Sequence, residues 1–282
     1  MAQNLQLLKR RIKTSKNIAQ IAKALEMIAA SKIKKAQIAS QSNRPYADRV
    51  TGITSNIIQS INKELFSHPY LTERESSKTL LIAISPDRGL CGSLNTNLYK
   101  KLIELENPNI KIVTIGKKVG LFASKLNFEL ISSYPMGSTL PDYSLVYQLK
   151  NIIDEEIEKG SIGNVQILYA DFVTYFTQKP TVKQLLPLKF EVKMENIELN
   201  SSIFEPSSNE ILADLLPYYL EIQLYNALLQ AFTSEQAAQM VAMQNAKNNA
   251  FDIAEYLNLV YNKSRQERIT NEILDLSNST QI

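Results

Sequence analysis

The sequence predicts an α/β domain inserted between two long terminal helices that pair as an antiparallel coiled coil. Apolar residues follow helical spacing over residues 1–65 and 208–276, whereas residues 78–200 switch to short apolar runs that alternate with helical patterns. No glycine occurs before Gly52 or after Gly163, so nothing breaks either terminal pattern early. Because the inserted domain connects the end of one helix to the start of the other, we expect the helices to run antiparallel.

The N-terminal helix carries two neighbouring apolar stripes whose members fall three and four positions apart. The first stripe consists of Leu5, Leu8, Ile12, Ala19, Ala22, Ala29, Ile33 and Ala36. The second stripe consists of Ile18, Ile21, Leu25 and Ile28. The stripes are rich in alanine and carry polar members such as Ser15, so they depart from strict heptads. The pattern resumes beyond Pro45, which predicts a continuous but kinked helix to residue 65.

The central segment begins after a predicted linker at residues 66–77 and alternates strands with helices. Strands are predicted at 78–85, 110–115, 128–131 and 165–172, and a further strand or hairpin at 182–188 and 190–192. Helices are predicted at 95–106, 119–126 and 144–159. This alternation is typical of a Rossmann-like, mostly parallel sheet.

The C-terminal helix is predicted to span residues 208–276, with a polar tail at 277–282 that frays. Its apolar positions are Leu212, Leu215, Tyr219, Ile222, Leu229, Phe232, Met240, Met243, Ile253, Leu257 and Val260. Pro217 predicts a kink or a join between two helical pieces.

Composition excludes several classes of site. Cys91 is the only cysteine and His68 the only histidine among 282 residues, which rules out an internal disulfide and a cysteine-based zinc site. His68 precedes a proline and is interpreted as a surface loop residue rather than a metal ligand or catalytic base. No run approaches the roughly 18 apolar residues of a membrane span, and the N-terminus lacks the apolar core of a signal peptide. We therefore expect an intracellular protein without direct membrane insertion.

Charge is distributed unevenly along the chain. Residues 1–50 contain eleven Lys or Arg and only two acids, Glu26 and Asp48, a net charge of +9 in a chain whose total is +3. A basic arm on a weakly acidic body favours an acidic partner, which is a protein surface, nucleic acid or anionic lipid. No aromatic residue accompanies the lysines at 32–35 for base stacking, so no nucleic-acid partner is predicted.

The segment from Asp87 to Ser93 (DRGLCGS) follows a predicted strand and precedes a predicted helix. Backbone N–H groups bind phosphates at this position in many α/β folds. The segment matches neither GxGxxG nor GxxxxGK[ST], however, which favours a tight turn in which glycine supplies positive φ and Cys91 is a small buried side chain. Nucleotide binding is the weaker alternative, and no cofactor is predicted.

Motifs spread over the whole chain resemble the gamma subunits of F-type ATP synthases. Residues 21–32 (IAKALEMIAASK) and 44–47 (RPYA) are similar to the family's N-terminal signature. Residues 87–92 with Asn95 resemble its D-R-G-L-C-G-x-x-N turn. The C-terminal match consists of SEQAA at 234–238, MVAM at 240–243, YNK at 261–263, Arg265-Gln266 and Ile269-Thr270.

The resemblance implies a central rotor shaft. In that family the two helices lie inside a ring of alternating alpha and beta subunits, and the α/β domain binds the membrane-embedded c-ring together with the epsilon subunit. Rotation takes the catalytic beta subunits through successive conformations and couples proton or sodium flow to ATP synthesis. One copy per complex, attached peripherally at the cytoplasmic face of the cell inner membrane, is implied. Nucleotide and Mg²⁺ sites belong to alpha and beta, so no catalytic, cofactor-binding or metal-binding residue is expected here.

The resemblance also assigns roles to individual residues. Those implied to face the surrounding ring are Lys23, Leu25, Glu26, Met27, Ser31, Lys32, Gln236, Gln239, Met240, Met243, Arg265, Gln266 and Thr270. Those implied to form a structural turn are Asp87, Arg88, Gly89, Cys91, Gly92 and Asn95.

Four departures from the family pattern leave two alternatives open. Leu25 stands where the family usually has Met, Gln239 where it has Arg, and Ser93 where it has a second Gly, while residues 245–250 lack the acid of the common T-D-N-A. The changes at Gln239 and 245–250 motivate a gamma-like rotor of a specialised ATPase that is not coupled to a c-ring. The other alternative is an enzyme or nucleotide binder that acts through the central domain.

Overall fold

A computed structural model of the chain describes residues 2–60, 66–74, 76, 78–188 and 207–279. The elements in chain order are α1 (Ala2–Ser60), β1 (Thr79–Ile84), α2 (Leu94–Glu104), β2 (Ile110–Ile115), α3 (Lys117–Ala123), β3 (Glu129–Tyr134), α4 (Tyr143–Glu158), β4 (Asn164–Phe172), β5 (Gln178–Leu186) and α5 (Ser208–Ser279). The predicted helix end at 61–65 and the predicted strand at 190–192 lie outside the described residues.

The chain forms two compact units. Residues 1–30 and 239–282 form one, called here the helical unit, and residues 31–238 form the other, called the sheet unit. The sheet unit therefore contains the α1 segment 31–60 and the α5 segment 208–238 in addition to the central segment at 78–188.

Helix α1 runs without interruption through Pro45, which confirms the predicted continuity, while the kink at Pro45 stays a prediction. Its buried residues between positions 8 and 36 are Leu8, Ile12, Ala19, Ala22, Ala29, Ile33 and Ala36, which is the first predicted stripe. They follow alternating steps of three and four once Ser15 and Glu26, both partly buried, are counted. The seam thus keeps heptad spacing, and it carries the polar member Ser15 that the sequence predicts, with Glu26 as a second.

Helix α5 is a single helix of 72 residues that passes through Pro217 and ends at Ser279. In the helical unit a seam of buried or partly buried positions follows the same alternation of three and four, namely Met243, Lys247, Ala250, Ala254, Leu257, Tyr261 and Ser264. Ala246, Asn258 and Val260 are partly buried beside it. The helices run antiparallel in both units. Glu26 lies beside Lys247 in the helical unit, and Asn43 donates a hydrogen bond to Asn226 in the sheet unit.

The sheet has five strands in the order β3-β2-β1-β4-β5. Strands β1 to β4 are parallel, and β5 pairs with β4 in the antiparallel direction. The predicted parallel core is confirmed, and β5 corresponds to the further strand or hairpin expected near 182–188. An antiparallel edge follows directly from the short connection, because a parallel partner would require a crossover of a dozen or more residues.

Alternate residues of β1 belong to two separate cores on the two faces of the sheet. Leu80, Ile82 and Ile84 pack with α4 and α5, whereas Leu81 and Ala83 pack with α2 and α3. All five side chains are buried to within 1% of complete burial. Helices thus cover both faces, as the near-continuous apolar run of β1 predicts.

The described part of the chain contains no helix with both the length and the hydropathy that a membrane span requires.

Candidate functional site

The helical unit carries large apolar side chains on its outside as well as in its seam. We call this set the outward apolar surface. Its members are Ile18, Ile21, Met27 and Ile28 on α1, and Phe251, Ile253, Tyr256, Leu259, Ile269, Ile273 and Leu274 on α5. Each is 47 to 66% exposed. Exposed apolar side chains in this number are typical of a helical surface that binds another protein.

Basic side chains accompany that surface at the N-terminal part of α1. Lys9, Arg10, Arg11, Lys13 and Lys16 are all exposed. Lys9 and Arg265 line an open groove between the helices, together with Tyr261, Arg268 and Glu272. Arg268 forms an ion pair with Glu272 at 2.6 Å, so the groove keeps a cationic character from Lys9 and Arg265.

The residues that the resemblance assigns to ring contact fall into three groups by exposure. Lys23, Met27, Ser31, Arg265, Gln266 and Thr270 are exposed. Leu25, Glu26, Lys32, Gln239 and Met240 are partly buried. Gln236 and Met243 are only 3% and 7% exposed, so their side chains pack inside the chain and do not belong to its outward surface.

Glu26 and Lys247 form an ion pair in the helical unit. The Lys247 Nζ atom lies 2.8 Å from Glu26 Oε2, and both side chains are about four-fifths buried, at 21% and 22% exposure. Both residues occupy seam positions of their helices. A charged pair inside a mostly apolar seam fixes the register of two helices, because any shift leaves both charges without a partner.

Replacing Glu26 by Gln and Lys247 by Gln is expected to give a favourable coupling energy of about 1 kcal/mol in a double-mutant cycle of urea unfolding. The pair is partly shielded from water, so the coupling should exceed that of an exposed pair. Lys263→Gln serves as the control, because Lys263 is exposed on the same helix. Additive effects of the Glu26 and Lys247 substitutions would contradict a register role.

The turn after β1 is held by the carboxylate of Asp87. Asp87 Oδ1 accepts hydrogen bonds from the backbone N–H groups of Lys117 at 2.9 Å and Met136 at 3.2 Å. Asp87 Oδ2 accepts a third from Gly137 N–H at 2.9 Å. These donors follow the ends of β2 and β3, so one side chain ties together three consecutive parallel strands at their carboxyl edge.

Backbone conformation in this turn differs in one detail from the sequence-based expectation. Gly92 has φ of 56°, but the other residue with positive φ is Leu90, at 69°, and not Gly89. Cys91 is 2% exposed and accepts a hydrogen bond from Asn95 Nδ2 at 3.3 Å. Burial, with a smaller contribution from Glu235, raises the pKa of the Cys91 thiol. The thiol is therefore a packing group and a poor nucleophile.

A close approach of the backbone to Ser85 explains why a glycine, Gly116, follows β2. Gly116 has φ of 103°, and a Cβ atom there would lie 1.9 Å from the carbonyl oxygen of Ser85. The Ser85 hydroxyl in turn accepts a hydrogen bond from Val119 N–H at 2.9 Å. The carboxyl ends of β1 and β2 are thus packed backbone against backbone.

This arrangement occupies the position where α/β folds bind phosphate. The N–H groups of Lys117, Met136 and Gly137 at this edge of the sheet already bind the Asp87 carboxylate. A phosphate bound at these three groups would have to displace a charged side chain. The geometry therefore disfavours nucleotide binding at the ends of β2 and β3. Among the described residues, no group of three or more His, Cys, Asp or Glu side chains is arranged to hold a metal ion.

Comparison with known proteins decides the family. The ATP synthase family profile matches residues 4–281. The ATP synthase gamma chain of Dehalococcoides mccartyi is 38% identical over 277 residues, which covers 97% of this chain and 96% of that one. The chain belongs to the ATP synthase gamma chain family. The gamma chains of Brevibacillus brevis and Glaesserella parasuis are 36% and 39% identical, and the alignments cover at least 94% of each chain. As a gamma chain, it is a non-catalytic subunit.

Solved structures show the same fold. A chain of the Euglena gracilis mitochondrial ATP synthase, from a structure of OSCP, F1 and c-ring in rotational state 3, matches with a TM-score of 0.71. That match covers 100% of this chain and 95% of the other, at 19% identity. A chain from a central stalk and c-ring structure of the Tetrahymena thermophila mitochondrial ATP synthase gives a TM-score of 0.61, at 24% identity over 80% of this gamma chain and 99% of that chain.

Two residues of the site, Lys247 and Glu235, were not identified from the sequence. Lys247 lies in the segment 245–250, where the sequence pattern shows only the lack of an acid. Its position opposite Glu26 becomes visible only when the two helices are paired. Glu235 lies inside a motif used for the family match, yet its partly buried carboxyl group gave no signal in the pattern. Glu235 lies between Ser234 and Gln236, which are both buried. Its partial burial cannot be predicted until the structure shows which face of α5 is packed inside.

Proposed function

We propose that this chain is the central rotor shaft of an ATP synthase, turning inside a ring of alternating alpha and beta subunits. The observation that carries the proposal is the outward apolar surface of the helical unit. Its residues are left exposed although the helices have a complete seam of their own. A two-helix unit with a satisfied seam and a second apolar face has the form of a part that is enclosed by other proteins.

The ring would be contacted by the exposed and partly buried members of the set assigned by resemblance. These are Lys23, Leu25, Glu26, Met27, Ser31, Lys32, Gln239, Met240, Arg265, Gln266 and Thr270. Exposed ion pairs contribute little free energy each, so contacts through these lysines and arginines can form and break as the shaft turns. The basic segment 1–50 fits acidic loops on the ring.

The sheet unit would bind the epsilon subunit and the c-ring. Catalysis would reside in the beta subunits, and each complex would contain one copy of this chain at the cytoplasmic face of the cell inner membrane. Passage of ions through the membrane sector would turn the c-ring and the shaft together. The asymmetric shaft would then force each beta subunit through its catalytic conformations in turn.

Reconstitution tests the proposal directly. Mixing this chain with alpha and beta subunits from the same source is expected to give a stoichiometric complex whose ATP hydrolysis depends on the chain. Replacing Ile21 by Ser should weaken assembly about 5- to 30-fold, because a side chain that is 61% exposed becomes buried on binding. Gln20→Ser, at the neighbouring exposed position, should leave assembly unchanged.

Two outcomes would contradict the proposal. One is the absence of any complex, and the other is hydrolysis that is the same with and without the chain. Binding to epsilon and the c-ring is a separate measurement. A chain that assembles with alpha and beta but binds neither epsilon nor the c-ring would instead be a gamma-like rotor of a specialised ATPase.

A further inference from the structure

A narrow crevice in the sheet unit lies between α5 and the turn that follows β1. Glu235 on α5 is the only acidic or basic residue among those lining it. The other lining residues are Ile84, Ser85, Pro86, Leu94, Leu98, Met136, Ala170 and Ala231. They come from β1, α2, β4, α5 and the segment after β3, so the crevice is the place where α5 meets the carboxyl edge of the sheet.

The carboxyl group of Glu235 has no hydrogen bond or ion pair within the described part of the chain, although the residue is largely buried. The neighbouring side chains on α5 do not compensate. Ser234 Oγ and Gln236 Oε1 are themselves buried without a hydrogen-bond partner among the described residues. A partly buried carboxylate without a partner is costly, whereas the neutral acid is tolerated in such a place.

The charges that face Glu235 come from two other elements. Asp87 lies in the turn after β1 and cannot move away, because three backbone N–H groups hold it. Lys32 on α1 and Arg88 beside Asp87 act in the opposite direction. Cys91, in the same turn, is close enough for Glu235 to affect its ionisation. Burial and the Asp87 charge prevail over both cations and raise the pKa of Glu235 to about 7.

We propose that Glu235 is a proton-binding residue that controls how tightly the turn after β1 is held against helix α5. When neutral, the side chain lies against the apolar wall of the crevice. When ionised, it is repelled by the fixed Asp87 carboxylate and attracted toward Lys32 and Arg88, which loosens the contact between turn and helix. The inference concerns the sheet unit itself and holds whether or not the chain is a rotor.

The raised pKa of Glu235 determines how the contact between the turn and helix α5 changes with pH. The native state binds the proton more tightly than an opened state, in which the carboxyl group has its ordinary pKa near 4.5. The contact is therefore strongest below about pH 4.5. It weakens as the pH rises from 4.5 to 7, and it weakens no further above that range.

Cys91 provides a probe of this contact, since it is the only cysteine in the chain and lies buried within the turn. The labelling rate of the full-length chain with 4,4′-dithiodipyridine would be measured from pH 5 to pH 8. Each rate is divided by that of the urea-unfolded chain at the same pH. The ratio is expected to rise on the order of 50-fold in the wild type, with most of the rise below pH 7.

Two variants and a control complete the test. Glu235→Gln should give a ratio that changes less than about 3-fold over the same range, whatever its absolute level. Arg88→Gln removes a cation that favours the ionised form, so its rise should continue to a higher pH. Glu255→Gln, an exposed position on the same helix, should behave as the wild type. A rise that persists in Glu235→Gln, or a flat ratio in the wild type, would overturn the proposal.

Discussion

Replacing Asp87 by alanine is expected to lower the free energy of unfolding of the sheet unit by about 2 kcal/mol. The substitution removes a charged acceptor of three backbone hydrogen bonds, from Lys117, Met136 and Gly137. Lys117 and Gly137 are exposed, so water replaces part of what their N–H groups lose, whereas Met136 is buried and its N–H group is left without an acceptor. Urea unfolding followed by circular dichroism measures the loss.

Amide hydrogen exchange distinguishes a local loss of the Asp87 hydrogen bonds from destabilisation of the whole sheet unit. Amide exchange should accelerate most at Lys117, Met136 and Gly137, which lose their acceptor. Asp252→Ala, an exposed site on α5, should change the free energy of unfolding by less than about 0.5 kcal/mol. Equal effects of the two substitutions would mean that the Asp87 carboxylate contributes nothing to the edge of the sheet.

Replacing Glu156 by Gln is expected to lower the free energy of unfolding by about 3 kcal/mol at pH 7. Burial alone raises the pKa of Glu156, but hydrogen bonds from Lys111, Ser161 and Lys159 outweigh it and lower the pKa to about 2. The Lys111 Nζ atom lies 2.7 Å from Glu156 Oε2, and the two side chains are 12% and 7% exposed. Removing one charge leaves the lysine largely buried beside a neutral amide.

The pH dependence of that loss has a defined direction. The native pKa lies below the ordinary value of 4.5, so the stabilisation is complete above pH 4.5 and disappears as the pH falls toward 2. The difference between wild type and variant in urea unfolding should therefore shrink over that interval. Glu155→Gln is the matched control, because its side chain is 66% exposed and pairs with Lys159 at 3.5 Å. A difference that is constant from pH 7 to pH 3 would contradict the assignment.

The spacing of apolar residues predicted the helices and strands because each face of an element is buried along most of its length or exposed along most of it. The β1 run is apolar throughout since both of its faces are covered, and the α1 stripe of Leu8, Ile12 and the alanines is buried as a unit. Glu26 was not among the predicted stripe members, because it is charged although it occupies a seam position. Only the position of Lys247 on the partner helix explains the choice of glutamate there.

The candidate site was predictable where it rests on local motifs and unpredictable where it depends on distant residues. The turn at 87–92 follows from its place after a strand, and the resemblance identified it independently. The hydrogen bonds to Asp87 come from residues 30 to 50 positions away in sequence, so no local pattern contains them. The second α1 stripe has the same kind of spacing as the first, yet Ile18, Ile21 and Ile28 are exposed, because spacing alone does not tell an inner face from an outer one.

The Asp87 carboxylate has a thermodynamic consequence for a protein that works among nucleotides. A domain whose anion site is filled by a ligand gains stability in proportion to the logarithm of that ligand's concentration. Here the anion is part of the chain, always present and always at the same effective concentration. The contribution of these three hydrogen bonds to the folding free energy of the sheet unit should therefore be independent of the concentration of free anions.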